Sequence, residues 1–216
     1  MDITEILTDI YHLNFPTQLK LASTFLRFQE HYESPQFREK IFSLDEFQRW
    51  YTANSTHGRK TGEFTYYEDW EGFNFPSYVL GPFYRGLFDP LSKLEKLFLE
   101  HFEDKAETKF YVIGTFGEGS ALEHEIAHGL FYIDEKYKTK ALRILATMDP
   151  EDRTKISNHL RDGAGYHTEV IDDEMHAYLA TERDYVTNES LTIKNLSTIH
   201  HQLRKIFDKH VEKHKK

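Results

Sequence analysis

The sequence predicts an α+β protein that is mainly helical and contains a small sheet. Three observations support this class. Apolar residues recur at helical spacing along much of the chain, the run 109–116 is rich in β-forming residues, and glycine and proline punctuate the aromatic stretch 54–90. The 216 residues contain no repeat or linker and suffice to bury a core, so we expect one domain over residues 1–216.

Residues 1–60 are expected to form a helical lobe. Apolar side chains recur near the helical period from Leu19 to Phe28, and Ser43-Leu-Asp-Glu46 has the pattern of a capping box that opens a short helix. A short strand is then expected at residues 63–67, where β-forming residues cluster. An amphipathic helix should follow from Asp89-Pro90 to about Phe102.

Residues 108–182 are expected to form the core around a metal site. The strand 109–116 is followed by Gly117-Glu-Gly119, and Ser120 is a candidate N-cap for a nearly all-apolar helix that continues to about Lys136. Further helices are predicted at about 137–148, 150–162, 168–183 and 192–213. The last of these is the C-terminal helix of residues 190–216.

Composition and charge limit the possible functions. The chain has no cysteine, so any metal must be held by histidine or carboxylate side chains. An acidic N-terminus without an apolar run argues against a secretory signal, and we expect a cytoplasmic protein. A mean hydropathy of -0.65 argues against membrane insertion, and a net charge of -9 argues against nucleic acid as a partner. The basic end from Lys209 is expected to be a solvated helix terminus.

The sharpest motif is His124-Glu125-Ile-Ala-His128, an HExxH sequence within the predicted apolar helix. Residues four apart on a helix lie about 40° apart on one face, so both imidazoles can bind one cation. Glu125 is about 100° from His124, where it can act on a water as general base without being a ligand. Three ionisable groups among apolar neighbours are costly to bury unless they share a partner, and a metal is the economical one.

A third protein ligand is expected from the helix near Val170–Leu179. Glu174 falls within the apolar stripe of that helix, whereas Asp172, Asp173 and His176 are expected to face the solvated side. A carboxylate on a buried face requires a cation, so Glu174 is the predicted third ligand. Two imidazoles and one carboxylate suit Zn²⁺, one per chain, and leave a fourth position open, as in catalytic zinc sites.

These residues resemble the zincin metallopeptidases, specifically the gluzincin branch, in which an acidic residue of a later helix completes the zinc site. The resemblance covers about residues 108–182, and its one sharp motif is the HExxH. It implies a zincin-like fold with the sheet packed beside the HExxH helix, His124, His128 and Glu174 as ligands, and Glu125 as the base. It also implies a neighbouring role for Tyr178, and an edge strand at 111–115 along which an extended peptide lies.

Some positions depart from the family patterns. The related metzincin pattern requires a glycine at position 131, which is Phe131 here, and a ligand at Asp134, which we rank below Glu174. Gluzincins usually carry an acid four residues after the third ligand, but this position is Tyr178 here. Donors to the oxyanion of a tetrahedral intermediate are sought among Tyr166, His167 and Tyr178, without a choice among them.

The sequence therefore predicts a zinc-dependent hydrolase that acts on a peptide or protein substrate, with Glu125 as general base and His124, His128 and Glu174 as ligands. Two alternatives remain open. One is a zinc hydrolase that cleaves a non-peptide amide or ester. The other is a catalytically silent zincin-like protein that binds metal or a partner. The sequence does not identify the substrate, distinguish endo- from exopeptidase action, or give the oligomeric state.

Overall fold

The structure is a computed structural model that describes residues 2–117, 122–163, 165–182 and 191–215. The protein belongs to the α+β class and combines predominant helix with a four-stranded mixed sheet, so the predicted class is confirmed. Among the residues described, no helix has both the length and the apolar content needed to cross a membrane.

The sheet contains strands β1 to β4 in the spatial order β1-β2-β4-β3. Strand β3 pairs antiparallel with β4, with Phe73 opposite Gly114. The strand predicted over residues 109–116 is confirmed as β4. The bounds are Asp2–Leu7 for β1, Ile10–Phe15 for β2, Gly72–Pro76 for β3 and Tyr111–Phe116 for β4.

Helices account for most of the described chain. The longer ones begin and end near the predicted positions, and Ser43 and Ser92 cap two of them through their hydroxyl oxygens. The bounds are Gln18–Glu33 (α1), Leu44–Asn54 (α2), Thr56–Thr61 (α3), Tyr66–Asp69 (α4), Gly81–Tyr84 (α5), Lys93–Phe102 (α6), Leu122–Ile133 (α7), Glu135–Leu145 (α8), Pro150–Asn158 (α9), Ile171–Thr181 (α10) and Leu196–His214 (α11).

The prediction of a wholly helical segment over residues 1–60 is wrong at its beginning, because β1 and β2 occupy residues 2–15. The two strands are joined by a turn in which Asp9 has a positive φ of 61°. In this short segment Leu7, Ile10 and Leu13 fit a helical spacing, while Tyr11, Leu13 and Phe15 fit strand alternation equally well. The remainder of the segment is helical, as expected.

The strand expected at residues 63–67 is also wrong. Tyr66–Asp69 form the short helix α4, and the strand lies further along the chain, at β3. Both stretches are rich in aromatic residues, and aromatic content alone does not determine which of them pairs with a neighbouring strand. The observed pairing with β4 places Phe73 and Phe75 in the core, where both rings are buried.

Strand β4 lies inside the sheet, with hydrogen-bonded neighbours on both sides. The expectation that residues 111–115 form an edge strand for an extended peptide is therefore wrong. The side chains link the neighbouring strands as well, since His12 Nε2 lies 2.7 Å from Thr115 Oγ1. Strand β4 is interior because β2 and β3 flank it, and neither of these two strands was predicted at its observed position.

The chain divides into two compact units by its internal contacts. The first comprises Met1–Thr4 and His12–Gly119, and the second comprises Glu5–Tyr11 and Ser120–Lys216. Each unit combines separate parts of the sequence, because the chain passes from the first unit to the second after Thr4 and returns to the first at His12. The expectation of one domain over residues 1–216 stays a prediction.

In the first unit, α1 packs against the sheet through an aromatic core. The ring of Phe25 lies 5.4 Å from that of Phe75 and 5.7 Å from that of Phe98. Gly114 of β4 allows this packing, because a Cβ atom at that position would lie 2.6 Å from the Phe25 ring. The buried guanidinium of Arg27 is held by both carboxylate oxygens of Glu95, each at 2.6 Å, so α1 and α6 are joined by a fully paired charge.

The second unit is a group of packed helices. Helix α10 packs on α7, and α11 packs on both α10 and α8. The apolar side chains between them are completely buried, among them Leu130, Tyr137, Met175, Leu179 and Leu203. The two helices that carry the predicted site residues, α7 and α10, are therefore in direct contact.

Candidate metal centre

Helix α7 presents His124 and His128 to the same position, one turn apart. Their Nε2 atoms are 3.0 Å apart, and both side chains are buried. The helical spacing of the motif thus produces the expected convergence. The predicted N-cap, Ser120, lies outside the described residues.

Glu174 of α10 faces the two imidazoles. Its Oε2 atom lies 3.8 Å from His124 Nε2 and 3.6 Å from His128 Nε2. The carboxylate is buried, with 4% of the residue exposed, and Oε2 has no hydrogen-bond partner among the described residues. A buried carboxylate oxygen without a hydrogen-bond donor is costly, and a bound cation would satisfy it. The predicted third ligand therefore lies where that role requires it.

The spacing of these three atoms fits a tetrahedral metal ion. Zinc bonds of roughly 2.0–2.1 Å at the tetrahedral angle separate neighbouring ligand atoms by about 3.3 Å. The three observed separations are 3.0, 3.6 and 3.8 Å. The group His124, His128 and Glu174 could hold a metal ion, since a shift of about half an ångström or less at each atom completes the geometry.

Two further carboxylates contact the outer nitrogens of the imidazoles. Asp173 Oδ1 accepts a hydrogen bond from His128 Nδ1 at 2.9 Å. Glu182 Oε1 lies 3.0 Å from His124 Nδ1, but it is not aligned with the N–H direction and forms an ion pair rather than a hydrogen bond. Metal-binding histidines commonly have such a carboxylate on the outer nitrogen.

The expectation that Asp173 and His176 face the solvated side of α10 is wrong. Asp173 contacts His128, and His176 is completely buried, with its ring stacked on Phe131 at 4.6 Å between centroids. Helix α10 has neighbours in α7, α8, α9 and α11, so it has no broad solvated side. The apolar stripe predicted the direction of Glu174, but it could not indicate how polar groups on a helix enclosed in this way find partners.

The electrostatics of the cluster favour a cation. Burial lowers the pKa of His124, but Glu174 and Glu182 outweigh it and raise the pKa to about 9. Burial likewise opposes protonation of His128, whose pKa the charges of Asp173 and Glu174 raise well above its ordinary value. Two imidazolium rings do not fit, because Nε2 atoms 3.0 Å apart leave no space for two N–H protons. A single positive charge between the two rings is consistent with the raised pKa values of both histidines and with the 3.0 Å between their Nε2 atoms.

Glu125 is buried beside the pair, with 6% of the residue exposed. Its negative charge contributes to raising the pKa of both His124 and His128, so the carboxylate is electrostatically coupled to both rings. The two histidine ligands and the predicted base thus lie on one helix, α7, while Glu174 comes from α10.

The three residues considered as oxyanion donors are placed differently. The ring of Tyr178 contacts that of His124 at 4.5 Å between centroids, and its hydroxyl lies 3.1 Å from that of Tyr166. His167 instead caps the turn Thr168–Val170, where its Nδ1 accepts from the backbone of Glu169. The structure therefore brings the Tyr166–Tyr178 pair towards the candidate centre and gives His167 a local structural role.

A second group, Asp134, His210 and His214, could also hold a metal ion. Its carboxylate oxygen Oδ2 already accepts hydrogen bonds from His210 Nδ1 at 2.9 Å, His214 Nε2 at 2.9 Å and Lys213 Nζ at 2.7 Å. These donors satisfy the oxygen without a metal, in contrast to Glu174 Oε2. The expectation of a solvated basic terminus is accordingly wrong for His210, which is 3% exposed.

The chain was compared with known proteins by sequence and by structure. No protein-family model, no curated protein and no solved structure matches it.

Proposed function

We propose that the protein is a zinc-dependent hydrolase of the zincin type, most simply a metallopeptidase. His124, His128 and Glu174 would hold one zinc ion, and Glu125 would act as the general base. A zincin-like fold with a gluzincin-type ligand set is part of the same proposal. The observation that carries it is the convergence of three buried lone-pair atoms, His124 Nε2, His128 Nε2 and Glu174 Oε2, within 3.0–3.8 Å of one another.

Zinc is the metal best suited to these residues. Two imidazoles and one carboxylate form a common catalytic donor set, and softer thiolate ligands are absent from the sequence. Three protein ligands leave the fourth tetrahedral position available for a reactant. A structural zinc site, by comparison, is usually closed by four protein ligands.

The proposed hydrolysis would use the metal, the carboxylate of Glu125 and a pair of tyrosine hydroxyls. Bound zinc would supply a Lewis acid that polarises a carbonyl and lowers the pKa of water. Glu125 would accept a proton from the attacking water and later deliver it to the leaving amine. The Tyr166–Tyr178 hydroxyl pair, whose Tyr178 ring contacts His124, would offer uncharged donors for a developing oxyanion.

Two other functions are distinguishable by experiment. A hydrolase of a non-peptide amide or ester would use the same residues on another substrate. A silent metal-binding protein would bind zinc without turnover, and the intact Glu125 argues against it. A metal-free cluster is a further possibility in which one shared proton replaces the ion between His124 and His128.

Metal analysis tests the ligand set. We expect about one zinc per chain in the wild type, close to none in His124→Ala, and markedly less in Glu174→Ala. His201→Ala is the matched control, because it removes an exposed imidazole from α11. Normal zinc content in Glu174→Ala would remove Glu174 from the site, and no zinc in the wild type would support the metal-free cluster.

Activity measurements test the role of Glu125. Glu125→Gln should retain zinc and fold but lose turnover of a broad peptide library by roughly 10²- to 10⁴-fold, the usual contribution of a general base. A panel of simple amides and esters, assayed in parallel, tests the non-peptide alternative. Equal inactivity of wild type and Glu125→Gln on both panels would favour the metal-binding alternative.

A further inference from the structure

Asp173 occupies a fixed position between two histidines. Its Oδ1 atom accepts from His128 Nδ1 at 2.9 Å and lies 3.3 Å from His176 Nδ1. His176 is itself immobilised, since it is completely buried and stacks on Phe131 of α7. The Nδ1 atom of His176 donates to the backbone carbonyl of Asp173, so the side-chain carboxylate keeps His128 as its hydrogen-bonded histidine.

This contact determines which nitrogen of His128 carries the proton. A neutral imidazole has one N–H and one lone pair, and an ionised carboxylate only accepts. Hydrogen bonding to Asp173 therefore places the proton on Nδ1 and the lone pair on Nε2. The Nε2 atom is the one that faces His124 Nε2 and Glu174 Oε2. The opposite tautomer would direct an N–H into the metal position and a lone pair against the carboxylate.

We infer that Asp173 is a positioning residue, which holds His128 in the tautomer and orientation that present Nε2 to the metal. This inference rests on the proposed function. The resemblance would put an acid four residues after Glu174, at the position of Tyr178, whereas the structure gives the contact to the residue immediately before Glu174. Asp173 thereby links α10 to the HExxH helix at a second point beside Glu174.

Glu182 contacts the other histidine less effectively. It lies 3.0 Å from His124 Nδ1 without hydrogen-bond alignment, and 40% of its side chain is exposed. Water can replace an exposed carboxylate as acceptor for the Nδ1 proton. Removal of Glu182 should therefore weaken zinc binding less than removal of Asp173.

Zinc affinity tests the inference. Competition with a chromophoric chelator would be measured for the wild type, Asp173→Ala, Asp173→Asn and Asp172→Asn. Loss of such a carboxylate typically weakens metal binding by about 10- to 100-fold, which we expect for Asp173→Ala. Asp173→Asn should be intermediate, because the amide oxygen can still accept. Asp172→Asn removes the same charge from the adjacent residue, whose surface pair with Arg153 should change zinc affinity by less than about twofold.

Nuclear magnetic resonance supplies a readout that a merely structural role would not change. In the zinc-loaded wild type and Asp172→Asn, the Nδ1–H proton of His128 should be protected from exchange with water. In Asp173→Ala the protection should be lost while circular dichroism stays unchanged. If Asp173→Ala fails to fold, the zinc affinity of Asp173→Asn carries the test, and an affinity equal to that of the wild type would contradict the inference.

The possible outcomes distinguish a failure of the proposed metal site from a failure of the role inferred for Asp173. A wild type that binds no zinc would overturn the proposed metal site. A wild type that binds zinc, together with folded Asp173 variants that bind it equally tightly and retain the protected proton, would overturn the role of Asp173 alone.

Discussion

Three consecutive carboxylates of α10 have three different surroundings. Asp172 pairs with Arg153 at the surface, Asp173 accepts from His128, and Glu174 directs an unpaired oxygen at both imidazoles. Successive residues on a helix are rotated by about 100°, so neighbours in sequence meet different parts of the surrounding structure. The chemistry of an acidic residue here is determined by what the packed helices place in front of it.

Glu30 of α1 is a second acid whose surroundings alter its protonation. Burial raises the pKa of Glu30 to about 7, although hydrogen bonds from Tyr66 and Ser34 oppose the shift. An acid whose pKa is higher in the folded state binds more protons there, so its contribution to stability is present below about pH 4.5 and is lost as the pH rises through 7.

We therefore expect Glu30→Gln, which mimics the protonated acid, to stabilise the protein relative to the wild type more at pH 8 than at pH 5. The difference should be on the order of 1–3 kcal/mol, towards the lower end because part of the side chain reaches solvent. Urea unfolding at both pH values measures it, with the exposed Glu100→Gln as the control. The same effect at both pH values would contradict the raised pKa.

At the scale of the element, helical periodicity predicted how the three candidate ligand side chains are directed. The i, i+4 spacing of His124 and His128 predicted their convergence, and the apolar stripe of α10 predicted the direction of Glu174. Periodicity failed for Asp173 and His176, because α10 is enclosed by four helices and tertiary contacts determine the partners of its polar groups. Strands β1 and β2 were missed because a six-residue apolar pattern fits helix and strand alike.

The C-terminal helix α11 is fastened to the junction between α7 and α8 by one carboxylate. Asp134 Oδ2 accepts from His210, Lys213 and His214, while Oδ1 caps α8 through the backbone N–H groups of residues 136 and 137. Asp134 immediately follows α7, so the position of the HExxH helix at its C-terminal end is tied to α11. A buried carboxylate with this many donors should contribute strongly to stability.

We expect Asp134→Ala to lower the free energy of unfolding by about 2–4 kcal/mol, because it removes the cap and leaves Nδ1 of the buried His210 without its acceptor. Asp134→Asn should lose less, since asparagine can still cap the helix. Chemical denaturation measures both. Asp149→Ala, which removes the cap of α9 and an exposed ion pair with Lys194, serves as the control and should cost about 1 kcal/mol. Equal losses in Asp134→Ala and Asp149→Ala would argue against the connection to α11.

At the scale of the whole molecule, the candidate ligands belong to one of the two compact units. His124, His128 and Glu174 all lie in the unit that contains Ser120–Lys216. A ligand stabilises the state that binds it, by about 2.7 kcal/mol when its free concentration is 100 times its dissociation constant. Zinc should therefore stabilise this unit directly.

Removal of zinc by a chelator should increase amide hydrogen exchange most in α7 and α10, with a smaller change in α1 and α6 of the other unit. Hydrogen-exchange mass spectrometry of zinc-loaded and chelated protein measures the difference peptide by peptide. His124→Ala treated in the same way is the control, because it should show no response to the chelator. An equal increase throughout the chain would mean that the metal stabilises the fold globally.

The interior position of β4 bears on how a polypeptide would be recognised. A peptide that joins a sheet as an extra strand is held mainly by main-chain hydrogen bonds, which are formed by almost any sequence. Both sides of β4 are already occupied, so this sequence-tolerant form of recognition is closed at residues 111–116. A peptide added as a strand would have to pair with an outer strand, β1 or β3. If recognition uses neither, selectivity in the proposed peptidase comes from side chains or chain ends of the substrate, and its cleavage profile should be narrow rather than broad.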